Sequence, residues 1–129
     1  MEKRWINTKE APQPVGPYAQ AVKSGKWLYI SGQIPLDPQT GQLLTGSFAE
    51  QAGRTLDNLA AILKAGGSSL DAVVKVTIYL ADMAYFNEFN SIYASYFESS
   101  RPARSCVAVS QLPKGALLEI DAVALCEDT

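Results

Sequence analysis

Val73-Val74-Lys75-Val76-Thr77-Ile78-Tyr79-Leu80 is the stretch on which the fold turns. The run is too short and too rich in β-branched residues for a helix, and it reads as a strand. Alternation sends Val74, Val76, Ile78 and Leu80 to one side and Val73, Thr77 and Tyr79 to the other. Apolar residues on both sides place this strand inside a sheet and not at a solvated edge.

The flanking sequence supplies what covers it. Upstream, Ser47-Phe48-Ala49-Glu50 has the form of a capping box, in which the Ser hydroxyl and the Glu carboxylate satisfy unpaired amides at a helix start. Phe48, Ala52, Leu56, Leu59, Ala60 and Leu63 then recur at helical spacing, and Gly66-Gly67 provides a left-handed residue to end the helix. Downstream, Asp82 is placed to cap a second helix with an aromatic stripe of Phe86, Phe89, Tyr93 and Phe97, a pattern that suits packing on a sheet. Ser99 to Pro102 breaks that helix. Two closing strands follow, at about 105–109 and 117–125, separated by Leu112-Pro113-Lys114-Gly115.

Nearer the start, Trp27 to Ser31 reads as a strand ending at Gly32, and Asp37-Pro38 and Thr40-Gly41 are turn signals. Ala11 to Pro17 carries three prolines and a glycine, so it crosses the surface as a shaped loop that delivers Tyr18. The order predicts an α+β fold, a mixed β-sheet with two helices packed on one face, in a single domain over residues 1–129. Strands 73–80 and 117–125 are apolar on both sides while two helices cover only one face. The second face is therefore expected to be buried against another copy of the chain, in a number the pattern does not fix.

Composition narrows the chemistry. The chain of 129 residues contains no histidine, which removes Ser-His-Asp and Cys-His machinery, imidazole acid–base schemes and His-ligated zinc. Its two cysteines, Cys106 and Cys126, lack metal-ligand spacing and are too few for a disulfide scaffold. A formal charge of −2 gives no electrostatic reason to expect a nucleic-acid partner. The start, Met1-Glu2-Lys3-Arg4-Trp5, is charged, and no apolar run approaches the roughly 18 residues of a membrane span, so a cytoplasmic location without membrane contact is expected.

The candidate site residues follow from strand alternation. Arg104, Cys106 and Ala108 share one side of their strand. An Arg at the mouth of an apolar strand can grip a carboxylate through its planar fork, or can serve in a surface or intersubunit ion pair. Glu119 and Asp121 share a side opposite Leu118, Ile120, Ala122 and Ala124. A Glu flanked by Leu and Ile is a candidate general base if burial raises its pKa, and a solvated strand edge otherwise. With no imidazole to activate its thiol, Cys106 reads first as a small packing residue. Gly32 can offer an amide to a bound oxygen or merely end its strand, and Tyr18 can close a pocket or simply pack.

These pieces resemble the RidA/YjgF family of reactive-imine deaminases along nearly the whole chain. The resemblance rests on Gly16-Pro17-Tyr18 with Gln20-Ala21, Ser31-Gly32-Gln33-Ile34-Pro35, the Gly41 turn, Asn58-Leu59, Asn90 and Tyr93. It rests most specifically on Arg101-Pro102-Ala103-Arg104-Ser105-Cys106-Val107 and on Leu112-Pro113-Lys114-Gly115-Ala116-Leu117-Leu118-Glu119-Ile120. It implies a chorismate-mutase-like fold assembled as a homotrimer with ligand clefts between subunits. It also implies hydrolysis of 2-imino or 2-enamino acids, such as 2-iminobutanoate and 2-iminopropanoate, to 2-oxo acids and ammonia, with no metal and no organic cofactor. Such species are released by pyridoxal-phosphate enzymes. Under this resemblance Arg104 would hold the substrate carboxylate and Glu119 would deprotonate the attacking water. Cys106, Ser31 and Gly32 would line the cleft and Tyr18 would close it. The competing expectations are a non-catalytic trimer binding 2-oxo acids or other metabolites, an endoribonuclease or translation inhibitor, and a holdase chaperone. The side chain of the preferred imino acid and the pyridoxal enzyme that supplies it are not legible in the chain.

Overall fold

A computed structural model describes residues 2–127. One sheet of six strands carries the chain: β1 (Arg4–Ile6), β2 (Ala21–Ser24), β3 (Trp27–Gln33), β4 (Val73–Leu80), β5 (Ala103–Ala108) and β6 (Leu118–Leu125), in the spatial order β1-β2-β3-β6-β4-β5. Two helices, α1 (Phe48–Ala65) and α2 (Phe86–Phe97), pack against each other, and α1 lies across β3 and β6. The sheet is mixed, since β4 runs parallel to β5 and antiparallel to β6. The α+β class and the mixed sheet are as the sequence predicts. Among the described residues no helix is long and apolar enough to cross a membrane.

β4 departs from simple alternation at its start. Val76, Ile78 and Leu80 are fully buried, but Val73 joins them in the core while Val74 is only half-buried, the reverse of the expected assignment. The cause is a register shift against β6 between Val73 and Lys75, which inserts one residue and turns the first part of the strand over. β3 likewise does not end at Gly32. It runs on to Gln33, with its pairing to β6 interrupted between Ile30 and Gln33. The short strands β1 and β2 extend the sheet beyond β3, where Trp5-Ile6 and Ala21-Val22 are runs too short to mark a strand in the sequence.

α1 begins with the expected reciprocal cap. Glu50 N–H donates to the Ser47 hydroxyl and Ser47 N–H donates to the Glu50 carboxylate. Gly67 holds the left-handed conformation at its end, with φ of 76°. Its buried stripe is wider than the apolar positions suggest. Gln51, Thr55, Asn58 and Ile62 are buried with the predicted residues, whereas Ala60 is half-buried. Two of these polar residues stitch loops to the helix: Asn58 Nδ2 donates to the carbonyl of Leu36, and Gln51 Oε1 accepts from Leu117 N–H. Asp82 caps a single 3₁₀ turn, Met83–Tyr85, through Ala84 N–H, and α2 starts immediately after it.

The helices and the inner face of the sheet enclose one core centred on Leu56, Leu59, Ile78, Phe89, Leu118 and Ile120. Among the described residues the outer face carries no helix. Cross-strand pairing lines up Trp5, Val22, Tyr29 and Val123 along it, with Trp27 beside Leu125. Trp5 is 78% exposed and Tyr29 48% exposed, so a single chain leaves an aromatic surface in water.

Candidate active site

Cross-strand register places the two charged candidates. Arg104 pairs with Val76, and Cys106 with Ile78, both core-facing residues, so Arg104 and Cys106 leave the sheet on the helix side. Glu119 pairs with Tyr79, and Asp121 with Thr77, on the uncovered side. Within one chain, Arg104 and Glu119 therefore stand on opposite faces of the sheet.

On the helix side, α2 provides the support for Arg104. Its Nη1 donates to Asn90 Oδ1 at 2.8 Å, and its guanidinium lies 4.9 Å from the centre of the Tyr93 ring and 5.7 Å from that of Phe86. The aromatic stripe thus has two functions. Phe89 and Phe97 are core, whereas Phe86 and Tyr93 form a platform over which the guanidinium lies, half-buried. Among the described residues no acid is ion-paired with Arg104. A cavity of about 320 Å³ opens beside it, lined by Tyr93, Phe97, Glu98, Arg101, Pro102 and Arg104. Burial pushes the Cys106 thiol up and outweighs the opposing pull of Arg104, so nothing generates a thiolate there.

On the other side, Tyr18, Ser31, Gly32 and Glu119 meet in a cleft of about 500 Å³ that also includes Gln33 and Lys114. Burial raises the Glu119 carboxyl above its ordinary value, and the negative charge of Asp121 on the same face raises it further. Asp121 is itself held by the Tyr79 hydroxyl at 3.1 Å. The Ser31 hydroxyl donates to the Ala19 carbonyl at 2.6 Å, which fixes β3 to the chain just after Tyr18. Gly32 lies in the irregular stretch of β3 against the Glu119 side chain.

Two supporting residues have no role in the reading of the individual residues. Asn90 and Gln20 enter only through the family resemblance, although a polar residue between Phe86 and Tyr93 on a helix stripe is a usable signal for a group that orients something polar. Gln20, 1% exposed, anchors the loop that forms one wall of the cleft. Its Nε2 donates to the carbonyls of Thr8 and Pro12 at 3.0 and 2.9 Å, and its Oε1 accepts from Thr8 N–H at 2.8 Å. Nothing in the alternation pattern separates it from a solvated glutamine.

The chain is a one-sheet α+β protein with a guanidinium unpaired among the described residues on one face and a half-buried carboxylate on the other. The family described as Endoribonuclease L-PSP matches residues 8–126, and the chain belongs to this YjgF/RidA family. A RutC family protein of Pyrococcus horikoshii is 52% identical over 122 residues, spanning 95% of this chain and 97% of that protein. The human protein named 2-iminobutanoate/2-iminopropanoate deaminase is 50% identical over 123 residues, spanning 95% of this chain and 90% of its own length. The crystal structure of yeast Mmf1 superposes with a TM-score of 0.94 at 42% identity, covering 98% of this chain and 100% of that one.

Proposed function

We propose that this chain hydrolyses 2-imino and 2-enamino acids to 2-oxo acids and ammonia, as a cytoplasmic homotrimer whose clefts lie between subunits. The observation that carries the reading is the state of Arg104. A guanidinium held by Asn90 and two aromatic rings, with no acid among the described residues paired to it, is a preformed receptor for a ligand carboxylate. The human relative's name, 2-iminobutanoate/2-iminopropanoate deaminase, supports the same substrate class.

The chemistry asks little of the protein. A protonated imine is already electrophilic, so turnover needs the substrate oriented, a water placed and one proton accepted. Arg104 holds the carboxylate through two parallel N–H donors, with Cys106 as a neutral neighbour. Glu119, its pKa raised by burial, takes a proton from water as the oxygen adds to the imine carbon. Glu119 returns that proton to the carbinolamine nitrogen, and the C–N bond breaks to release ammonia. The hydroxyl proton passes to the freed Glu119 carboxylate as the C=O of the 2-oxo acid forms, and the ammonia leaves with that last proton as ammonium. Tyr18, Ser31 and Gly32 enclose this end of the cleft. The family description names an endoribonuclease. A chain with a formal charge of −2 and no imidazole offers little to a phosphodiester backbone, and the imine reading is the one its side chains favour.

Because Arg104 and Glu119 leave opposite faces of the sheet, a complete site on this reading takes its Arg from one subunit and its Glu from the next. The uncovered aromatic face is the surface available for that contact. The test is release of 2-oxobutanoate from freshly generated 2-iminobutanoate, by wild type, Arg104→Ala, Glu119→Gln and the two variants reassembled together. Each variant alone is expected to be inactive. An equal mixture should recover about one quarter of wild-type activity, because one random pairing in four joins an intact Arg to an intact Glu. Turnover that survives in Glu119→Gln removes the general-base role. Mixed oligomers with no recovered activity overturn the shared cleft.

A further inference from the structure

Arg101 lines the same cavity as Arg104, and the deaminase reading assigns it nothing. We propose that Arg101 is a second anion contact, which makes this chain selective for imino acids carrying a carboxylate on the side chain, the short 2-iminodicarboxylic acids. The proposal rests on the deaminase reading for the chemistry at the imine, and on its own observations for the selectivity.

Three observations point this way. First, Arg101 has a φ of 46°, in the left-handed region that favours glycine, directly before Pro102. A glycine there would relieve the backbone, so a long cation kept on a strained turn at a cavity rim is a candidate for function. Second, the side chain is aimed but not used up. Its backbone N–H donates to the Phe97 carbonyl at 2.9 Å and its Nε to the Glu98 carbonyl at 3.0 Å, which caps the end of α2. Those bonds hold the backbone and the Nε edge of the guanidinium, and leave its two terminal nitrogens for a ligand. Among the described residues neither Arg101 nor Arg104 is ion-paired with an acid. Third, the two are three residues apart, so their Cα atoms lie within about 11 Å, and both side chains line one cavity, a span that suits the two ends of a short dicarboxylate.

The chemistry selects the ligand. One guanidinium on an aromatic platform suffices for the carboxylate next to the imine. A second, more exposed one at the mouth of the same cavity suits an anion at the far end of a short side chain. Glu98 lines the cavity as well and subtracts from its positive potential, but two guanidinium groups against one carboxylate leave the balance positive. A methyl or ethyl side chain, as in 2-iminopropanoate or 2-iminobutanoate, leaves Arg101 without a partner.

The experiment compares kcat/KM on freshly generated 2-iminoglutarate and 2-iminobutanoate for wild type, Arg101→Gly and Arg101→Lys. Arg101→Gly suits the observed backbone, so loss of the guanidinium is separated from loss of the fold. Wild type is expected to prefer the diacid about tenfold, the increment of one charge-assisted contact. In Arg101→Gly the ratio of the two values should fall to near one, and Arg101→Lys should keep part of it. Calorimetric titration with 2-oxoglutarate and 2-oxobutanoate repeats the comparison without turnover. A wild type that binds the two oxo acids equally, or an Arg101→Gly variant that keeps the wild-type ratio, overturns the proposal. Wild type that prefers 2-oxoglutarate but turns over neither imine upholds the anion contact and sinks the deaminase reading instead.

Discussion

The Glu119 carboxylate occupies the space that a β-carbon on Gly32 would need. The glycine is there for room and not for backbone freedom, because its φ is not in the left-handed region. Adding a methyl group pushes aside the end of a flexible side chain and not packed backbone, so the fold survives and the carboxylate moves. Gly32→Ala is expected to change stability by no more than about 1 kcal/mol. It should lower kcat/KM on 2-iminobutanoate by about 100-fold, the usual consequence of misplacing a reacting group by an ångström. An Ala variant with wild-type kcat/KM would show that the observed position of Glu119 is not the working one.

A carboxyl whose pKa is raised in the folded chain gives a pH profile of definite sign. Glu119 must be ionised to take a proton from water, so kcat/KM falls as pH drops through its raised folded pKa, above the ordinary value of 4.5. Asp121 is the secondary cause after burial, so Asp121→Asn should move the acid limb of the profile to lower pH, though not all the way to that ordinary value. The stability linkage runs the opposite way to a salt-bridged acid. In the window between the unfolded and folded pKa values the folded chain binds more protons, so the stability contributed by this group is lost as pH rises through it. Urea titrations across that window check the sign.

Asn90 holds Arg104 through one charge-assisted hydrogen bond at 2.8 Å. In Asn90→Ala the guanidinium keeps its ring contacts but loses its fixed orientation, and KM for 2-iminobutanoate should rise about tenfold with a smaller change in kcat. Asn90→Asp should be worse than Ala, because a carboxylate in that place pairs with the guanidinium that the substrate needs. Weaker calorimetric binding of 2-oxobutanoate in Asp than in Ala is the outcome to look for.

Thr55 lies fully buried in α1, and among the described residues its hydroxyl has no hydrogen-bond partner. Thr55→Val keeps the shape and removes an unpaid desolvation, so it should stabilise the chain by about 1 kcal/mol. A fall in the midpoint of chemical unfolding would reveal a partner for that hydroxyl.

The elements whose signals are local were legible in the chain. The capping box at Ser47 and Glu50, the left-handed Gly67, the aromatic stripe of α2 and the alternation of β6 each depend on neighbours a few residues away, and each stands where the periodicity places it. The facing of Arg104, Cys106 and Glu119 within their own strands was legible for the same reason, since alternation assigns each to one side. β1 and β2 were not, because short strands owe their existence to the ladder they join. The reversal of Val73 and Val74 was hidden as well: a bulge is a property of two strands, and one strand's sequence does not carry it.

What only the tertiary structure decided is how those faces relate. Sequence says that Arg104 faces one way on β5 and that Glu119 faces one way on β6. It does not say that β4 lies between them, with Val76 aligned to Arg104 and Tyr79 to Glu119. Val76 and Tyr79 are three residues apart along β4, an odd number, so the two charges point to opposite faces. Alternation has a period of two within a strand but no fixed phase between strands, and pairing register alone supplies the phase.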